Sequence, residues 1–160
     1  MLASRSFPMS IQRRFYAGLQ IFGGGQFVMI WMNQLDAAPN TLTVGFLTVL
    51  AVVGLASAIM ALMYLDGNSR ARQVCLYFWV IQVPNFASPW ASYRFFSSAE
   101  LRVGLFLSKL GLFQDFRLGD ALVATVTQDG PVAYVGINAL ALAAVLFFVR
   151  ERSNQRGDPV

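Results

Sequence analysis

Four long stretches without a single acid or base constrain this 160-residue chain more than any other feature. They cover residues 15–35, 42–65, 73–93 and 131–149. About 20 helical residues, at roughly 1.5 Å each, cross a bilayer core of about 30 Å. Each run therefore predicts one transmembrane helix. Composition agrees, since 56% of the residues are hydrophobic and 12% are charged, against roughly 25% charged in soluble domains. The expectation is an all-α integral membrane protein: a four-transmembrane-helix bundle in a single domain over residues 1–160, with a small extracytoplasmic β-sheet or hairpin between helices 3 and 4.

The punctuation between the runs fits this layout. Asp36, Pro39, Asn40 and Thr41 form a turn whose Asn or Thr can cap the second helix, and Asp66, Gly67, Asn68 and Ser69 stop that helix and cap the third. Pro131 stands near the start of the fourth, where a missing N–H costs nothing, and Arg150 and Arg152 close it. Eight arginines and three acids fall on one side of this arrangement, four bases and five acids on the other. The positive-inside rule then places both termini in the cytoplasm, with a bacterial inner membrane as the setting. Arg13 and Arg14 before an apolar run also resemble an export signal, but no small-x-small cleavage site follows, so a retained first helix is expected.

Residues 94–130 form the outer loop. Leu101, Val103, Leu105 and Leu107, then Phe116 and Leu118, then Leu122, Ala124 and Val126, alternate with period two, which predicts strands. An amphipathic interfacial helix over 101–113 is the rival, weakened by Gly104 and Gly111. Within the spans, Gly23, Gly24 and Gly25 mark a tight crossing, kink or unwound turn in the first helix. Ala51, Gly54, Ala58 and Ala61 lay a small-residue packing stripe along the second. Pro84 and Pro89 break the third helix, the first by deleting a backbone bond inside the membrane, the second at an aromatic belt with Trp90 and Tyr93. Gln26, Gln82, Asn85 and Asn138 are the candidate polar intramembrane layer, because hydrocarbon solvates none of these amides.

Chemistry is scarce. The chain has no histidine and one cysteine, Cys75, so it offers no disulfide and no zinc, haem or iron–sulfur signature, and no cofactor is expected. The polar residues of the spans are neutral and the serines have no activating base. Glu100, Asp115, Asp120 and Asp129 read as a solvated loop face. The expected function is a non-catalytic accessory or scaffold subunit of a membrane assembly. A small-ligand or lipid-handling transporter using the Pro-broken third helix is the alternative. Expected partners are membrane lipids and a protein partner or second copy. Nucleic acid is not expected, since the basic residues are scattered without interleaved aromatics.

Overall fold

The computed structural model describes residues 11–35, 40–108, 110–119, 121–126 and 133–156. The chain folds as α1 Ile11–Gln34, α2 Thr41–Leu65, α3 Ser69–Val80, β1 Pro84–Ala87, β2 Ala91–Phe96, β3 Ala99–Phe106, β4 Gly111–Leu118, β5 Ala121–Val126, β6 Tyr134–Asn138 and α4 Ala139–Arg156. The architecture is mixed, with four helices against one antiparallel sheet in the order β4-β3-β6-β1-β2-β5.

The all-α four-transmembrane-helix bundle is therefore corrected, and with it the description of the chain as a four-helix membrane protein. The third run does not stay helical: α3 ends at Val80 after 12 residues, about 18 Å, and Pro84 opens a strand instead of kinking a helix. The fourth run is split, because residues 134–138 are strand and only Ala139 to Val149 of its apolar part is helix. Among the described residues one helix, α2, is long and apolar enough to cross a membrane. α1 is as long but carries Gln20, Gln26, Asn33 and three consecutive glycines. The sheet is also larger than expected, running from residue 84 to 138 across what was read as two spans and a loop.

The helix ends follow their sequence signals. Asn40 caps α2, its side chain accepting from Thr43 N at 2.9 Å. Gly67, at φ +92°, turns the chain out of α2, and Asn68 caps α3 through Arg70 N at 2.9 Å and Ala71 N at 3.2 Å. α2 buries Leu47, Ala51, Gly54, Ser57, Ala61 and Tyr64, a stripe at spacings of three and four, flanks it with half-buried Leu50, Met60 and Leu65, and leaves much of its remaining apolar surface exposed. Its packing partner is α1. A Cβ at Gly24 would sit 2.3 Å from Gly54 O and 2.9 Å from Ala58 Cβ, and one at Gly54 would meet Phe27 Cβ at 2.7 Å. Nearby, a Cβ at Gly23 would strike Ser97, while Gly25 faces open space. α1 remains helical throughout.

Below that crossing the four helices share a core of Ala17, Ala61, Tyr64, Ala71, Cys75, Trp79, Ala141, Ala144 and Phe148. Above it, the sheet meets the helices through Phe95, whose ring stacks on Phe27 at 5.9 Å and meets Phe78 edge-on at 5.8 Å.

The sheet cannot be flat. β4 and β5 are its two edges, yet only residues 119 and 120 separate them. Leu118 and Ala121 are thus at most about 11 Å apart, whereas five inter-strand spacings span about 24 Å. Ser97 and Ser98, the latter at φ 73°, likewise join β2 to β3 across the intervening β6–β1 pair. Gly119 N donates to Ser98 O at 3.0 Å and ties the two links together. The sheet is curled into a half-closed barrel at this end.

Two predictions follow from the packing. Gly24→Ala should destabilise by about 1–3 kcal/mol, because backbone stands where the methyl must go, whereas Gly25→Ala should stabilise by up to about 1 kcal/mol; thermal unfolding of the two variants checks the contrast in sign. Cys75 is fully buried, and burial pushes its thiol up to about 12. Folded protein at pH 8 should leave a thiol reagent unconsumed, and denaturant should release one equivalent.

Candidate functional site

Strand register decides which side chains share the inside of the curl. Arg94, Asn85, Gly136, Gly104 and Phe113 lie in one row across β2, β1, β6, β3 and β4. Two residues along the strands, on the same face, come Tyr134, Asn138, Arg102, Phe106 and Asp115, and four residues along come Glu100 and Arg117. The polar groups of the sheet are therefore concentrated on the concave face.

Glu100 is its centre. The side chain is 1% exposed, and both carboxylate oxygens are engaged: Oε1 accepts from Asn85 Nδ2 at 2.7 Å, Oε2 from Arg94 Nε at 3.0 Å and also from Arg94 Nη2. Asn85, itself 2% exposed, accepts from Tyr134 OH at 2.9 Å, and that hydroxyl accepts from Arg102 Nη1 at 3.3 Å. Arg102 continues the chain to Asp115 Oδ2 at 2.9 Å, which also takes Arg117 Nε at 2.8 Å. The hydrogen bond from Arg117 holds the Asp115 carboxyl below the usual range. Three arginines and two carboxylates thus alternate through a hydrogen-bonded chain, joined by Asn85 and Tyr134, across five strands.

Aromatic rings fill the space between. Arg94 lies 4.9 Å over Phe96, and Arg102 sits between Phe113 at 4.9 Å and Tyr134 at 5.3 Å. Such cation–π contacts strengthen as water is excluded. Phe113 reaches inward because Gly104 and Gly136 carry no side chain: a Cβ on Gly104 would stand 2.7 Å from its Cζ.

The convex face is the reverse of the concave one. Phe86, Leu101, Val103, Leu112, Phe116, Leu118, Val135 and Ile137 all point outward on β1, β3, β4 and β6, and all are exposed, Leu112 at 84%. An antiparallel sheet with one wet face ordinarily turns its apolar residues to the core and its polar residues outward. Here the ions are inside and, apart from Gln114 on β4, the outward side chains of these four strands are hydrocarbon. At β2 the outer wall is covered by the helices through Phe95, and Tyr93 OH donates to Ile81 O at 2.7 Å.

The predicted site residues fall in different places. Asn85 and Asn138 flank the start of β3: Asn85 bonds Glu100, and Asn138 Oδ1 accepts from Leu101 N and, as the N-cap of α4, from Ala141 N, both at 3.3 Å. Gln82, 1% exposed, links α3 to the β2–β3 connection by donating to Phe78 O at 3.1 Å and accepting from Ser97 N at 2.8 Å. Gln26 is apart from these, in a shallow cleft of about 220 Å³ with Met29, Ile30, Asn33 and Gly119. Pro84 begins β1 and Pro89 lies in the turn after it. Glu100, Arg94, Arg102 and Tyr134 were missed as a cluster, and Glu100 is corrected from a solvated acid to a buried one. Asp120 and Asp129 lie outside the described residues. The missed signal is parity, since Glu100, Arg102, Gly104 and Phe106 alternate with Leu101, Val103 and Leu105.

Among the described residues no group of three His, Cys, Asp or Glu side chains stands close enough to hold a metal. Losing one member of a buried pair strands the other, so Glu100→Leu should cost about 3–5 kcal/mol, and adding Arg94→Leu should recover a large part of that loss. A denaturant double-mutant cycle measures the coupling.

Compared with known proteins, the chain matches no family model, no curated protein and no solved structure.

Proposed function

We propose that this chain is a non-catalytic accessory protein seated in lipid, with the α1–α2 hairpin and the convex wall of the sheet as its hydrocarbon-facing surfaces. The observation that carries the reading is the reversed sheet, apolar outside and ionic inside. Proteins with lipid-facing strands alternate apolar-out and polar-in, and this wall does so over four adjacent strands with Gln114 as the one outward amide. α2 supports it independently, since Leu42, Phe46, Val49, Val52, Leu55, Ile59 and Leu62 are exposed around more than one stripe. A helix that is apolar on nearly all sides belongs in a core or in a membrane.

The polar interior supports a structural role. Both Glu100 oxygens are taken, Asp115 is shared by two arginines, and Phe106, Phe113 and Tyr134 pack against one another at 4.7–6.4 Å. These groups hold the curl. The transporter alternative rested on a Pro-broken spanning helix, and that position is a helix end followed by a strand.

The test uses one side chain with opposite expectations in two solvents. On a wet surface Leu112→Lys is worth within about 0.5 kcal/mol of nothing, whereas on a lipid-facing strand it costs up to about 2–4 kcal/mol. Full-length protein should float with phosphatidylcholine vesicles and resist carbonate extraction, and Leu112→Lys with Phe116→Lys should greatly reduce both. Detergent-free wild-type protein that stays monodisperse and ignores vesicles would sink the reading.

A further inference from the structure

The helices end together in a basic cap. Arg13 of α1 donates to Tyr64 O and lies 4.4 Å over the Tyr64 ring at the end of α2, and Tyr64 OH donates to Glu151 of α4. α3 begins beside them, four residues after α2 ends. This single end gathers Arg13, Arg14, Arg70, Arg72, Arg150 and Arg152 against Asp66 and Glu151, a surplus of four positive charges. Arg14, Arg70 and Arg150, from three different helices, are exposed. The apolar surface of α2 begins directly beside them, at exposed Met63 and Leu62.

Resting on the lipid-seated reading, we infer that this cap is a docking surface for the headgroups of acidic phospholipids, and that it selects the leaflet at which the helical end of the protein lies. Charge complementarity and position commit the occupant. Guanidinium groups pair with phosphate through two parallel hydrogen bonds, and are less strongly hydrated than ammonium groups. Arginines at the foot of an apolar helix stand at the depth where lipid phosphates lie, and their stems run along the acyl boundary while their heads reach out. Nucleic acid fits less well, because the cap has apolar helix surface at its rim where a duplex would bring more phosphate. The Arg13–Tyr64–Glu151 contact serves as the frame, fixing the adjoining ends of α1, α2 and α4, while the short link after α2 keeps the start of α3, with Arg70, at the same end.

Each basic residue near an acidic membrane surface contributes about fivefold to partitioning. Wild-type protein in low salt should therefore partition at least about tenfold more strongly into phosphatidylcholine vesicles containing about a third phosphatidylglycerol than into pure phosphatidylcholine. Added salt should erase the difference, because surface charges separated by more than roughly 10 Å are screened at about 0.1 M. The variant Arg14→Gln/Arg70→Gln/Arg150→Gln should lose the preference for acidic vesicles, about a hundredfold by the same arithmetic, while entering neutral vesicles as wild type does. Circular dichroism and equal incorporation into neutral vesicles show that the variant is folded. Entry into both vesicle types with no acidic preference would overturn this inference and leave the lipid-seated reading standing, whereas failure to enter either type would remove the reading itself. Preferential binding of duplex DNA over acidic vesicles would also overturn it.

Discussion

The buried carboxylate of Glu100 sets the terms for the rest of the sheet. A desolvated charge is tolerated only with its lone pairs satisfied by a counterion and further donors. Here the donors come from β1 and β2, and the charge stands on β3. β3 and β2 are three places apart in the strand order, so a flat sheet would hold Arg94 and Glu100 roughly 14 Å apart. The pair closes only because the sheet curls. The two short connections, residues 97–98 and 119–120, impose that curl covalently. The ionic interior and the tight links are two expressions of one geometry.

Curvature also explains the glycines of the strands. On a concave face side chains converge, and a row with a bulky residue on every strand would overfill. Gly104 and Gly136 empty two adjacent places in the row, Phe113 leans into them from β4, and Arg102 lies on that ring. The helices solve a similar problem differently. Gly24 and Gly54 let α1 and α2 touch backbone to backbone, which turns Gly23 toward Ser97 and seats the β2–β3 link against α1. Contact between α1 and α2 and closure of the sheet are coupled through that link. Gln82 reinforces it from α3 by capturing Ser97 N.

How far this could be read from the sequence depended on whether a local signal had a competitor. Asn40, Gly67 and Asn68 placed helix ends because capping is local. The alternation through Leu101–Leu107 was visible, and β3 and β4 do form a hairpin there. β1 and β6 were not visible, since a short apolar run reads equally as buried helix or strand. Tyr134-Val135-Gly136-Ile137-Asn138 alternates over five residues, too few to outweigh the apolar helix that follows at Ala139. Three of the four polar-layer amides proved buried, but their grouping as an intramembrane layer presumed that the third and fourth runs were continuous helices. Glu100 was misread with the other loop acids as part of a solvated face, because a charge in a loop is ordinarily in water and its counterion, Arg94, comes from a strand that was not visible.

Which face of a strand lies inside is where the physics of the solvent enters. Period two states only that the faces differ. Which one turns inward depends on what lies outside, and the apolar face is favoured inside only when water surrounds the sheet. In this chain the inward choice follows the ions, and β2 shows the rule at work within one strand. Phe95 points to the convex side and is buried because helices cover it there, while Arg94 points to the concave side and is held there, largely covered, by the buried carboxylate of Glu100. Where no helix covers the convex side, on β1, β6, β3 and β4, the residues remain nearly all apolar like Phe95, Gln114 being the polar one among them. The wall keeps one chemistry whether or not the chain itself supplies the cover.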